Sequence, residues 1–129
     1  MSFMARILIV DDEMPISTLL TQTFEQDGHQ VTTAANGIEC MNKMASFRPD
    51  VVIMDIMMPK LDGVDTTRLI RRNKNYSDTV IVALSAKADE ETRQRMREVG
   101  ANLFMRKPFV IAKLVARVNQ ILESRSGAK

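Results

Sequence analysis

The chain has one cysteine, one histidine, one tyrosine and no tryptophan among its 129 residues. A single cysteine, Cys40, excludes an internal disulfide and fits a reducing compartment. Its ordinary role is that of a small buried apolar residue. The longest apolar run, Val80 to Leu84, is five residues, far short of the ~20 that a membrane-spanning helix needs. The first residues carry no apolar signal segment, so the expected location is cytoplasmic and no membrane partner is expected. No block of like charge stands out: the net charge is +2, with Lys and Arg spread along the chain. Charge therefore gives no sign of direct nucleic-acid binding. The first strand is not followed by a glycine-rich phosphate loop; Asp11-Asp12-Glu13 stands there instead.

What is present suits one soluble domain with an ordinary core: 45% of the residues are apolar and 26% charged. The ten methionines read as core filler. Strand and helix patterns alternate. Arg6 to Val10 reads as a strand. A helix follows from about Met14, with Pro15 in its first turn, where a missing N–H costs nothing. Ile16, Leu19, Leu20 and Phe24 keep helical spacing, and Gly28 is the stop. Gln30 to Ala34 alternates polar and apolar, as an edge strand does. Asn36-Gly37 signals a turn before a helix marked by Ile38, Met41, Met44 and Ala45. Val51 to Met54 is a third strand, followed by a loop punctuated by Pro59 and Gly63 and a short helix carrying Leu69 and Ile70. Val80 to Leu84 is a fourth strand. Asp89 caps a charged helix that ends at Gly100. Leu103 to Arg106 is a fifth strand, and Ile111, Leu114, Val115, Val118, Ile121 and Leu122 stripe a last helix. Residues 5–123 are expected to form the domain, with 124–129 a tail or a cut linker. His29, just after a helix stop, reads as a surface turn residue.

Five βα units with continuously apolar strands require cover on both faces, hence a parallel sheet with helices on each side. Ligands of such sheets sit outside the carboxyl ends of the strands. The strands end on Asp11-Asp12, Asp55 and Ser85, and the fifth leads to Lys107-Pro108. Singly, each of these is a cap, a turn residue or a solvated charge. At one sheet edge they form a site of three carboxylates, a hydroxyl and an ammonium. Hard carboxylate oxygens suit Mg²⁺. A carboxylate can attack phosphorus, and Lys107 and Ser85 can neutralise and hydrogen-bond phosphoryl oxygens.

These residues also carry a resemblance. Ile7 to Glu13, Arg48 to Asp55, Met58-Pro59 with Leu61-Asp62-Gly63, Ala83 to Ala86, Gly100-Ala101 and Lys107-Pro108-Phe109 occur in the order and spacing of receiver domains of two-component response regulators. The chain resembles that family over about residues 5 to 123. The resemblance implies a flavodoxin-like doubly wound α/β sheet with strand order 2-1-3-4-5. It implies that Asp55 accepts a phosphoryl group from a sensor histidine kinase or phosphotransfer protein. Asp12 and Asp55 match the carboxylate ligands of Mg²⁺, Asp11 acts mainly through a bound water, and Met57 matches the residue that gives the metal its backbone carbonyl. Ser85 and Phe104 match the switch hydroxyl and aromatic, Lys107 the phosphate-binding lysine, and a cis bond into Pro108 is expected. Met57 and Lys87 match the two positions that gate water and set the dephosphorylation rate. The implied role is a signalling switch, not an enzyme acting on an external substrate. It would control a downstream effector or output domain, and the family also allows a phosphorylation-dependent homodimer. Two other classes fit the residues less well. An aspartate-nucleophile phosphohydrolase usually places a second aspartate where Met57 stands, and a flavodoxin-like cofactor binder needs the phosphate loop that Asp11-Asp12-Glu13 replaces.

Overall fold

The computed structural model describes residues 4–58, 61–87 and 89–127; Pro59, Ala88 and the last two residues of the expected tail lie outside them. The strands are β1 (Arg6–Val10), β2 (Gln30–Ala34), β3 (Val51–Asp55), β4 (Val80–Ser85) and β5 (Leu103–Arg106). The helices are α1 (Met14–Gln26), α2 (Gly37–Phe47), α3 (Gly63–Arg72), α4 (Glu90–Glu98) and α5 (Ile111–Gly127). All strands pair in parallel, in the order β2-β1-β3-β4-β5.

The burial of each strand follows from its place in that order. β3 and β4 are buried at every position, and β1 at all but Arg6. The outer strands β2 and β5 are only partly covered, which is why β2 alternates polar and apolar. Successive side chains face opposite sides. Ile7, Ile9, Val51, Ile53, Val80, Val82 and Leu84 pack against Leu20 and Phe24 of α1 and Leu114, Val115 and Val118 of α5. Leu8, Val10, Val52, Met54 and Ile81 pack against Cys40 and Met44 of α2 and Ile70 of α3. Ala83 joins Val64 of α3 and Met96 of α4.

The elements agree with the sequence reading, with three differences. A one-turn 3-10 helix at Lys74–Tyr76 was not foreseen. It is organised by Asn73, whose side chain accepts from Asn75 N–H at 2.9 Å. The last helix continues beyond residue 123, through Gly127, and Arg125 donates to the Asp78 carbonyl in the turn before β4. His29 is no surface residue: it is 6% exposed. Its Nδ1 accepts the Ala5 N–H at 3.0 Å, which leaves Nε2–H to donate to Asn119 Oδ1 on α5, also at 3.0 Å. A ring that seals the gap between the first strand and the last helix is invisible to local pattern, because its partners are 24 and 90 residues away.

The methionines divide. Met44, Met54, Met58 and Met96 fill the core, whereas Met4, Met14 and Met57 are exposed. Burial pushes the Cys40 thiol up to about 12, so it is unreactive.

Candidate functional site

Strand alternation brings the acids together. Asp55 ends β3 two residues beyond Ile53, and Asp11 lies two beyond Ile9; both preceding residues point toward α1 and α5. β1 and β3 are neighbours with Ile9 opposite Ile53. Asp11 is still held in the ladder, its N–H donating to the Ala34 carbonyl at 3.0 Å. Carboxylate oxygens of Asp11, Asp12, Glu13 and Asp55 all lie within 4.8 Å of one another. Asp11 and Asp55 are buried, at 4% and 3% exposure, while Asp12 and Glu13 face solvent.

The counter-charge comes from the other side of the sheet. Lys107, just after β5, places Nζ 3.3 Å from Asp11 Oδ2, 3.4 Å from Asp55 Oδ2 and 3.4 Å from Glu13 Oε1. Its position is set from the backbone, because its N–H donates to the Ser85 carbonyl at 2.8 Å. The Lys107–Pro108 bond is cis. One ammonium does not neutralise this many acids. Burial, and then the Asp11 charge, push the Asp55 carboxyl up to about 6, against the opposite pull of Lys107 and of the Met57 N–H. Burial works against the Lys107 ammonium, but the Asp55 and Asp11 carboxylates outweigh it and hold the lysine above its usual value.

The loop after β3 is shaped by its own sequence. Met57 N–H donates to Asp55 Oδ1 at 3.2 Å, and Met57 is 61% exposed. Asp62 caps α3 by accepting from Asp65 N–H at 2.9 Å. Gly63 N–H donates to the Ile56 carbonyl at 3.0 Å, and a Cβ on Gly63 would lie 2.6 Å from Ile56 Cα and 2.7 Å from the Asp55 carbonyl oxygen. The Leu61-Asp62-Gly63 stretch therefore seats α3 directly against the backbone that carries Asp55.

Ser85 is fully buried at the end of β4, its Oγ accepting the Lys87 N–H at 3.0 Å; the Lys87 side chain is exposed. Phe104 on β5 lies opposite Ala83, two residues before Ser85. It is half-buried against Ile56, Val64, Ala83 and Met96, with the Arg93 guanidinium 5.0 Å from its ring centre. One participant in the cluster, and one structural tie away from it, were not singled out from sequence. Glu13 joins the cluster through Lys107, a contact between residues 94 apart. Arg71 donates to the Gly100 carbonyl (3.0 Å), the Tyr76 carbonyl (3.0 Å) and Asn102 Oδ1 (2.8 Å), tying α3 to the turn before β5. A surface arginine in the last turn of a helix carries no local signal for such a role.

A carboxylate cluster bridged by a lysine at the carboxyl edge of a parallel sheet is the arrangement expected of phosphoryl chemistry. Residues 7–119 match the family described as the response regulator receiver domain. The chain belongs to that family. Over 117 residues it is 39% identical to the alkaline phosphatase synthesis transcriptional regulatory protein PhoP of Bacillus subtilis, covering 91% of this chain and 48% of that protein. It is 38% identical over 120 residues to the transcriptional regulatory protein PrrA of Mycobacterium leprae, covering 93% and 51%. The receiver domain thus spans about half the length of these relatives. Among solved structures it is similar to the chemotaxis protein CheY4 of Vibrio cholerae, with TM-score 0.86, 32% identity and coverage of 92% of this chain and 98% of that one. The receiver domain of Francisella response regulator 1452 aligns with TM-score 0.85 at 32% identity, covering 95% and 98%. Among the described residues, no helix of the receiver domain is long and apolar enough to cross a membrane.

Proposed function

We propose that this receiver domain accepts a phosphoryl group on Asp55 from the phosphohistidine of a sensor kinase or phosphotransfer protein, with Mg²⁺ bound, and so switches a downstream effector or output domain. The observation that carries the reading is the Lys107 ammonium, 3.3 Å from Asp11 and 3.4 Å from Asp55, both buried. In the transfer, an Asp55 oxygen attacks phosphorus, an O–P bond forms, the P–N bond breaks, and the histidine leaves as neutral imidazole once protonated. Lys107 could neutralise phosphoryl oxygens, and the Ser85 hydroxyl, which accepts the Lys87 N–H, keeps its own proton to donate to one.

The donor set fits Mg²⁺. It consists of oxygens, it is acidic beyond what one lysine balances, and Asp55 is raised to about 6 by burial and then by the Asp11 charge. Asp12, Asp55 and the Met57 carbonyl would hold the ion, with Asp11 acting through water. When bound, the ion supplies the positive charge that lets Asp55 act as an anion and that offsets charge on the incoming phosphoryl group. Mg²⁺ and phosphorylation are typical of the family.

The switch is read through Ser85 and Phe104. A hydroxyl drawn toward the phosphoryl group vacates space on the face that Ala83 and Phe104 share, and the ring can turn inward. α4 is suited to follow, because it buries only Thr92 and Met96. The state that makes the hydroxyl–phosphoryl bond gains population by the strength of that bond. Control of a transcriptional output is favoured by the relatives, which are named as transcriptional regulators. Residues 5–123 would form the switching unit, the remainder of α5 leading out of it.

Incubation with acetyl phosphate and Mg²⁺ tests the reading. One phosphoryl group should add to the wild type and none to Asp55→Asn. Undiminished labelling of the variant would remove Asp55 from the role. Sustained turnover would point instead to a phosphohydrolase, and copurifying flavin to a cofactor binder.

A further inference from the structure

We propose that Met57 is a reversible oxidation site, and that its sulfoxide shortens the life of the phosphorylated domain. The inference rests on the phosphoryl-accepting role of Asp55 proposed above.

Methionine sulfur reacts with two-electron oxidants in proportion to its exposure. Here three neighbouring sulfurs differ sharply in reach. Met54 is fully buried and Met58 is 8% exposed, while Met57 between them is 61% exposed. Met4 and Met14, at 68% and 69%, are the other exposed methionines among the described residues. Met57 alone of these is bonded to the candidate acceptor, through its N–H to Asp55 Oδ1 at 3.2 Å. Met57 is thus an exposed residue two positions from Asp55, which belongs with Asp11, Asp12 and Glu13 to one carboxylate cluster contacted by the Lys107 ammonium.

Peroxide supplies the oxygen. The sulfur lone pair attacks one peroxide oxygen, the O–O bond breaks, an S–O bond forms, and the second oxygen leaves as water after proton transfer. Sulfur is oxidised by two electrons and peroxide is reduced by two. The product carries a strongly polar S–O group where the thioether had none. A thioether is a poor acceptor and cannot hold a water in line with the Asp55–phosphorus bond; a sulfoxide oxygen can. A neutral hydrogen bond gained by that water in the transition state corresponds to roughly fivefold in rate. Oxidising conditions would thereby cut the signal short without changing the kinase, and sulfoxide reduction would restore it.

The test treats the whole chain with hydrogen peroxide, maps added oxygen by peptide fragmentation, and follows loss of the phosphoryl group after acetyl phosphate labelling. Met57, Met4 and Met14 should oxidise while Met54 and Met58 do not. Treated wild type should lose phosphate about fivefold faster than untreated protein, and a methionine sulfoxide reductase should reverse the change. Treated and untreated Met57→Leu should decay alike, although Met4 and Met14 are still oxidised. Amide NMR shifts should move at Met57 and Asp55 on oxidation even before labelling. Oxidation of Met58 ahead of Met57, equal decay of treated and untreated wild type, or an equal acceleration in Met57→Leu would each overturn the proposal. Failure of untreated protein to take up phosphate would overturn the functional reading and this one with it; uptake with unchanged decay would overturn this one alone.

Discussion

Asp55→Asn should make the metal-free receiver domain more stable at neutral pH. Asp55 is 3% exposed, and its carboxyl is raised from 3.8 to about 6, first by burial and then by Asp11. A folded-state value above the unfolded one means that the folded chain binds the proton more tightly. The resulting stability is fully present below about pH 4 and is lost as pH rises through about 6. Above that, the folded domain carries the whole cost of a buried anion facing another. A shift of about two units at 1.36 kcal/mol each puts that cost near 3 kcal/mol. Asparagine keeps the shape and an acceptor for the Met57 N–H, and Lys107 keeps Asp11 and Glu13. Some attraction to Lys107 is lost, so a net gain of about 1–3 kcal/mol is expected, or roughly 3–10 °C in Tm for a domain of this size. Urea and thermal unfolding with EDTA should show the variant ahead at pH 7.5 and the gap closing by pH 4–5. Mg²⁺ should then stabilise the wild type and leave the variant nearly unmoved. A variant no more stable than wild type at pH 7.5, or a gap that persists on acidification, would refute the account of the site as an under-neutralised acid cluster.

Asp12→Ala should lose Mg²⁺ binding, measured by titration calorimetry, while the metal-free domain holds or gains stability; unchanged affinity would sink the proposed ligand set. Gly63→Ala should destabilise the fold by about 1–3 kcal/mol in urea unfolding, because the new Cβ meets Ile56 Cα and the Asp55 carbonyl, which are backbone and cannot move aside; a neutral effect would show that α3 can shift. Beryllofluoride with Mg²⁺ should move the NMR shifts of Phe104 and Ser85, and Ser85→Ala should suppress the Phe104 change; identical Phe104 shifts with and without the anion would disconnect the ring from the site. Met57→Asn should speed loss of the phosphoryl group by about fivefold, the worth of one hydrogen bond to the attacking water; an unchanged or slower decay would show that this side chain does not gate the water.

Local sequence determined a great deal. Ile7-Leu8-Ile9-Val10, Val51-Val52-Ile53-Met54 and Val80 to Leu84 are apolar at every position, which only a strand covered on both faces tolerates, and that implies parallel strands with helices on each side. Asp89 caps its helix as its place before it foretells, and Asn36 and Asp62, read from sequence only as turn and loop residues, cap theirs in the same way. Asp11, Asp12, Asp55, Ser85 and Lys107 were legible as one candidate site because strand ends of a parallel sheet share an edge. Other properties belong to the assembled fold alone. Lys107 meets Asp11 across 96 residues, and the raised Asp55 carboxyl exists only because folding removes water and delivers Asp11 to its side. His29 looked like a turn residue because a single imidazole has no periodicity; it is buried by Ala5 and Asn119, which only the closed sheet brings to it. Met57 and Met58 are identical in sequence terms and opposite in exposure. The chain sets what each segment prefers over a few residues, while burial, charge balance and reach depend on contacts that form once the β-strands are in order.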